Sequence, residues 1–423
     1  MFIIFASLIM LMSVYTIFTL LIVFTALFGY INHRFIKLPS TIGIMIISLA
    51  CSLFLVLTGN MFPVVWKEVT DTIESIDFET LLMEVMLSFL LFAGAIHVDF
   101  GKLKKHATPI ITLATLGVII STITIGFLLF FIFNLFNINA GLIYCLLFGA
   151  LISPTDPIAV MGILKNAKIP AAMETKIAGE SLFNDGVGVV VFLSILEVAK
   201  LGIENLSFGE ISWMFVKEAG GGLLWGVILG SIAFYLLRSI DQYKVEVIIT
   251  LAVVMGGYAF ANAIHISGPL AMVSAGIIVG NKGKQLAMSD VTRDYLGKFW
   301  ELIDEILNAL LFMLIGFEML VISFRMELMW MGLMAVIIVL FARFISVSIP
   351  ILALSLRRTF EKNTITILTW GGLRGGISVA LALSIPRDMY RQEIVTITYI
   401  VVVFSIIFQG LTIGKVAKKL VSN

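Results

Sequence analysis

Apolar runs long enough to cross a bilayer recur from one end of this 423-residue chain to the other. In hydrocarbon every backbone polar group must be satisfied internally, so runs of that kind restrict the chain to membrane-spanning helices. A helix crosses about 30 Å of hydrocarbon in roughly 20 residues. Breaks at charged or Gly/Pro/Asn clusters divide the chain into thirteen candidate spans, near 9–32, 39–59, 79–98, 107–135, 139–163, 174–200, 209–237, 243–263, 265–281, 300–323, 328–355, 361–386 and 390–417. Between the second and third, the polar and acidic stretch Phe62–Asp77 reads as a short surface helix.

Composition closes off the soluble alternative. Hydrophobic residues make up 60% of the chain and charged residues only 13%, whereas a soluble domain carries about 25% charged residues. The expectation is an all-α polytopic membrane protein. A net charge of +1 gives no support for a nucleic-acid partner. Cys51 and Cys145 fall inside apolar spans, which leaves neither a disulfide framework nor metal-ligand spacing. No cofactor and no enzymatic chemistry are expected. The N-terminal MFIIFASLIMLMSVYTIFTL lacks a basic n-region and an A-x-A cleavage site, so it reads as a retained first helix. KKLVSN follows closely on the last span, and no regulatory tail is expected.

Cytoplasmic loops carry an excess of Lys and Arg. Placing the N-terminus outside puts Arg34, Lys37, Lys102, Lys104, Lys105, Lys165, Lys168, Lys176, Arg238 and Lys244 inside. Lys282, Lys284, Arg293, Lys298, Arg357, Arg358, Lys362, Lys415, Lys418 and Lys419 join them, most of the 28 basic residues. The C-terminus is then cytoplasmic, in a plasma membrane or prokaryotic inner membrane. With an odd seventh helix in 209–242, helices 1–6 (1–208) and 8–13 (243–423) run in opposite senses. That is the inverted-repeat plan of many secondary transporters, in which one helix of each half is interrupted near the midplane. The fifth span carries Ser153-Pro154-Thr155-Asp156-Pro157 and the twelfth carries Gly371-Gly372-Leu373-Arg374-Gly375-Gly376. Each is fifth in its half, and the two are expected to cross. Prolines 154 and 157 deprive the carbonyls of Ala150 and Ser153 of helical partners. Asp156 and Arg374 suit the partial charges of the exposed helix ends.

The sixth span holds the densest polar cluster, Glu180, Ser181, Asn184 and Asp185. At about 100° per residue all four share one helix face. An ionisable residue this deep costs at least ~2.5–3.5 kcal/mol on insertion scales, and so marks a functional hypothesis. Arg343 in the eleventh span is the available partner for Glu180, as a structural ion pair. It serves only one carboxylate well, which leaves Asp185. Burial favours the neutral form of a carboxyl and a nearby cation favours the charged form. Asp185 can therefore take either a proton or a dehydrated monovalent cation, each displacing the other. Asn184, Ser181 and Thr155 supply neutral oxygens, the donors that hard cations such as Na⁺ prefer. Gly222, Gly226 and Gly230 form a small-residue face that fits either helix packing or dimerisation.

The three segments Ser153–Pro157, Glu180–Asp185 and Gly371–Gly376 closely resemble the signature segments of the cation–proton antiporter superfamily. The Asn184-Asp185 form resembles its electroneutral sodium–proton exchanger branch, the NhaP-like group. The resemblance spans nearly the whole chain. It implies a homodimer with alternating access, in which a core of helices 4–6 and 11–13 moves against a dimerisation domain built from the remainder. It implies that Asp185 binds Na⁺ (or Li⁺) and H⁺, with Ser181, Asn184, Thr155 and Asp156 beside it. It implies that Glu180 pairs with Arg343. One exchangeable carboxylate implies one cation per proton, and a role in pH homeostasis. The chain departs from the family at Ala93, where related exchangers often carry an acid; Asp99 lies nearer the cytoplasmic end. That departure keeps K⁺/H⁺ exchange in view. A channel or a transport-dead sensor fits less well, because the buried charges gather at one point and no soluble output domain is expected.

Overall fold

A computed structural model describes residues 2–59, 61, 78–156, 160–161, 164, 169–202, 208–283, 287–320, 322 and 325–421. Their regular structure is helical throughout. In chain order the helices are α1 (Phe2–Ile31), α2 (Ser40–Thr58), α3 (Leu81–Ile96), α4 (Phe100–Lys105) and α5 (Ala107–Leu135). There follow α6 (Leu142–Ile152), α7 (Ala171–Leu201), α8 (Phe208–Ser239), α9 (Tyr243–Ala263) and α10 (Gly268–Asn281). The series closes with α11 (Asp290–Glu318), α12 (Met326–Ser355), α13 (Thr364–Trp370), α14 (Gly376–Leu383) and α15 (Arg391–Leu420).

Among the described residues eight helices are long and apolar enough to cross a membrane: α1, α2, α5, α7, α8, α9, α12 and α15. Helices α3, α6 and α10 are apolar but shorter. The difference from thirteen spans has identifiable causes. The fifth expected span stops as a helix at Ile152, and the twelfth divides into α13 and α14 around 371–375. The tenth falls on α11, where Glu301, Asp304 and Glu305 interrupt the apolar run. The expected surface helix at Phe62–Asp77 lies outside the described residues, as does Pro157.

Helix ends follow local chemistry. Helix α7 begins directly after Pro170 and stops at Gly202, whose φ of 85° suits glycine alone. Helix α10 opens on a capped turn, where the Ser267 side chain accepts from the Leu270 N–H and Pro269 occupies the first turn.

The chain divides into two compact units. The first comprises Met1–Phe78 and Glu305–Ser323. Within it Ser52 Oγ donates to the Gly316 carbonyl at 2.9 Å, and the rings of Phe24, Phe28 and Phe317 form one cluster. The second comprises Glu79–Asp304 and Phe324–Asn423, and contains every candidate site residue named above. There α5 packs on α6 and α12, α12 packs on α15, and α6 packs on α7. The Gly222/Gly226/Gly230 face of α8 is taken up inside the chain. It lies against the carbonyls of Ser267 and Ala271 and the side chain of Ile278, closer than any Cβ would permit.

Candidate ion-binding site

The site begins where α6 ends. Helical bonding gives way at Pro154, which has no N–H to donate. The Ala150 carbonyl, expected to be orphaned, instead accepts the Ser153 N–H at 3.3 Å in a tightened last turn. The carbonyls of Ser153 and Pro154 are both taken by Arg374, whose Nη1 donates to them at 2.5 and 3.0 Å. Arg374 is 2% exposed. Its positive charge therefore sits at the C-terminal end of α6, where the helix carbonyls carry partial negative charge.

Asp156 answers it on the other side. Its backbone N–H donates to the Leu373 carbonyl at 2.8 Å, so the two interrupted stretches are joined directly. Its carboxylate packs against Gly375, the residue before α14, at a spot any side chain on 375 would occupy. The negative charge thus lies at the N-terminal end of α14.

Helix α7 supplies the rest. Asn184 Oδ1 accepts the Thr155 N–H at 3.2 Å, and Asn184 Nδ2 donates to Thr155 Oγ1 at 2.9 Å. Ser181 Oγ donates to the Thr155 carbonyl. Two side chains one turn apart thereby satisfy the backbone N–H, the carbonyl and the hydroxyl of a single non-helical residue. Both are committed to holding Thr155. No hydrogen bond runs from the Asn184 amide to Asp185 among the described residues.

Glu180 and Arg343 form a bidentate pair: Arg343 Nη1 to Glu180 Oε1 at 2.6 Å and Nη2 to Oε2 at 3.0 Å. The Arg343 guanidinium also donates to the Leu368 carbonyl and lies against Gly372. Both side chains are buried. Asp185, five residues on, is 7% exposed. Among the described residues none donates a hydrogen bond to its carboxylate, and the charges acting on it are those of Asp156 and Glu180. A buried carboxylate without donors is costly as an anion, and uptake of a proton or a cation removes that cost. Ser181, one turn before Asp185 on α7, and Thr155, which it holds, carry hard, neutral oxygens.

Two features escaped the sequence reading. Lys176, assigned there to a cytoplasmic loop, lies buried in the second turn of α7, 2.5 Å from Glu361 and over the ring of Phe360. Burial pushes the Glu361 carboxyl up, but the hydrogen bond and charge of Lys176 outweigh it and hold the group below its ordinary value. Ser405 and Gln409 of α15 face the 371–375 interruption and bond to its ends. Polar residues four apart in the run VVVFSIIFQGLT were the available signal. Of the remaining sequence candidates, Ala93 is fully buried in α3, and Asp99 caps α4 by accepting the Lys102 N–H.

Comparison with known proteins adds the following. The profile of the family described as "Sodium/hydrogen exchanger, transmembrane" matches residues 22–419. The Na⁺/H⁺ antiporter NhaP of Pseudomonas aeruginosa is 50% identical over 408 residues, covering 94% of this chain and 95% of that protein. The Na⁺/H⁺ antiporter NhaH of Halobacillus aidingensis is 34% identical over 393 residues, covering 92% and 93%. Among solved structures, the sodium proton antiporter MjNhaP1 of Methanocaldococcus jannaschii at pH 8 superposes with a TM-score of 0.75. It is 19% identical, with 98% of this chain and 100% of that one covered, a likeness of fold.

Proposed function

The chain belongs to the transmembrane sodium/hydrogen exchanger family, and on that premise we propose that it exchanges Na⁺ or Li⁺ for H⁺ by competition at Asp185. The observation that carries this reading is the Asp185 carboxylate itself, buried in α7 and given no hydrogen-bond donor by the described residues. Such a group exchanges one partner for another, because each state with a bound cation or proton is neutral and the empty anion is not. A site loaded with either species can move through the membrane at low cost, whereas the empty site cannot. That asymmetry is what couples the two fluxes under alternating access.

The same reading gives the stoichiometry. Asn184 is an amide engaged with Thr155 and Glu180 is neutralised by Arg343, so Asp185 is left to carry exchangeable charge. One cation then moves per proton and the cycle is electroneutral. Asp156 and Arg374 act as fixed compensating charges at the helix ends. Glu180 and Arg343 act as an internal brace. We assign the protein two inverted six-helix repeats within thirteen spans, a core built from the fourth to sixth and eleventh to thirteenth spans, and a dimerisation domain in a homodimer. The N-terminus is outside a prokaryotic inner membrane, the C-terminus inside, and the role is pH homeostasis.

The buried Ala93 favours one further reading, K⁺/H⁺ exchange, since it contributes no carboxylate where related exchangers often have one. Both readings meet the same experiment. Purified protein in vesicles with a clamped membrane potential is given gradients of Na⁺, Li⁺ and K⁺ in turn, and proton movement is followed. Na⁺ and Li⁺ are expected to drive it and K⁺ is not. Proton movement driven by K⁺ alone overturns the sodium assignment, and strong dependence on potential overturns the one-for-one stoichiometry.

A further inference from the structure

The interruption between α13 and α14 is spanned by a hydrogen-bonded bridge from α15. Residues Ser405–Gln409 form a single π turn within that helix, a widening that frequently marks functional positions. Ser405 Oγ accepts the backbone N–H of Arg374 at 3.0 Å and donates to Gln409 Oε1 at 2.7 Å. Gln409 Nε2 donates to the Trp370 carbonyl at 3.0 Å. Trp370 in turn donates from Nε1 to Thr412 Oγ1 at 2.9 Å. Ser405 and Gln409 are 1% and 3% exposed.

The two ends joined by this bridge matter for what lies beyond them. Trp370 closes α13, and its carbonyl has no partner in the helix. Arg374 is the residue whose guanidinium holds the Ser153 and Pro154 carbonyls at the end of α6. The separation of Trp370 from Arg374 therefore sets where that guanidinium falls. Gln409 suits the place because an amide offers an acceptor to Ser405 and a donor to Trp370 at once.

We propose that Gln409 and Ser405 are positioning residues for the exchange reaction, holding the α13–α14 gap at the width that keeps Arg374 on the end of α6. The proposal rests on the transport reading given above. It separates from simple packing by chemistry: a packing role needs only the volume of Gln409, whereas a positioning role needs its donor.

The test uses the full chain in potential-clamped vesicles, with Na⁺-driven proton flux followed from about pH 6 to about pH 8.5, a range that titrates a buried carboxyl. Gln409→Glu keeps the acceptor and has the donor only while the introduced carboxyl is protonated. Its rate relative to wild type is expected to be about tenfold lower at the alkaline end than at the acid end, the effect of one lost buried hydrogen bond. Gln409→Met, with similar volume and no donor, is expected to be equally slow relative to wild type at every pH. A flat ratio for the glutamate variant, or wild-type rates for the methionine variant, overturns the proposal. Should the glutamate variant not insert, Ser405→Ala is read instead. It is expected to shift the half-saturating Na⁺ concentration several-fold with folded yield retained, and an unchanged value overturns the proposal. Absence of Na⁺-driven flux in the wild type would instead overturn the transport reading on which the proposal stands.

Discussion

Glu180 and Asp185 lie five residues apart on one buried helix face, yet their surroundings differ completely. Glu180 has both oxygens held by Arg343, which is itself pinned by the Leu368 carbonyl. Asp185 has no donor among the described residues, and its immediate neighbours Asn184 and Ser181 are engaged with Thr155. The lesson concerns what makes a buried charge mobile. Both are buried carboxylates; the difference lies in whether the protein supplies the counter-charge. Where it does, the carboxylate is a strut. Where it does not, the proposed exchange has the solution supply one, and the identity of that counter-charge becomes free to change.

The largest effect expected from this contrast is on turnover. Asp185→Asn should abolish exchange while leaving the folded yield and melting temperature at or above wild type, since it replaces a poorly solvated carboxyl with a neutral amide. Flux assays beside thermal unfolding in detergent check both halves, and retained exchange would remove Asp185 from the mechanism. Arg343→Ala should act in the opposite sense. It leaves a buried carboxylate without its partner, at a cost of about 3–5 kcal/mol, and folded yield should fall before activity can be read. Size-exclusion profiles of detergent extracts report it. If Glu180→Gln is stable yet inactive, Glu180 belongs with Asp185 and the contrast collapses.

Asn184→Asp gives a smaller and more specific change. It adds a second carboxylate beside Asp185 and removes the amide donor to Thr155 Oγ1, a contact the Thr155 hydroxyl can restore by donating instead. Exchange should persist but become dependent on membrane potential, seen as a flux that changes when the clamp is released.

The smallest expected effect comes from Lys176 and Glu361, a second ion pair made by the same helix, nearer its start. Glu361 titrates below its ordinary value, so its contribution is fully present above the unfolded carboxylate range and is lost as pH falls through the lowered folded value. His106 nearby is pushed down by burial first and by Lys176 second, which again favours the folded state above the ordinary imidazole range. For the Lys176–Glu361 pair itself, melting temperatures should decline below about pH 4.5, by an amount equivalent to about 1 kcal/mol for a partly exposed pair. Lys176→Met should flatten that part of the curve. A curve unchanged by the substitution would show the pair to be neutral for stability.

Much of the site is legible in the sequence because membranes make polar residues conspicuous. Two carboxylates in one apolar span need partners, and a single arginine in another span could serve only one of them. The helix breaks are legible for a related reason: Pro154 and the glycines of 371–376 are the residues whose backbone chemistry ends a helix. Lys176 was harder to read. A lysine at a span boundary looks solvated in sequence, and only the folded chain brings Glu361 and Phe360 over it. The Ser405–Gln409 bridge was hidden because serine and glutamine are uncharged and tolerated in a span. The interruption of individual spans was harder to place, because a run of apolar letters does not reveal where a helix within it stops and restarts.

The bond from the Asp156 N–H to the Leu373 carbonyl joins residues more than two hundred positions apart through backbone alone. No change of side chain other than to proline at 156 removes its donor, so alanine scanning is blind to this seam between the two interruptions. Sequences can drift widely around it and keep the crossing, while a single amide-to-ester replacement at residue 156 would remove the donor and leave every side chain in place.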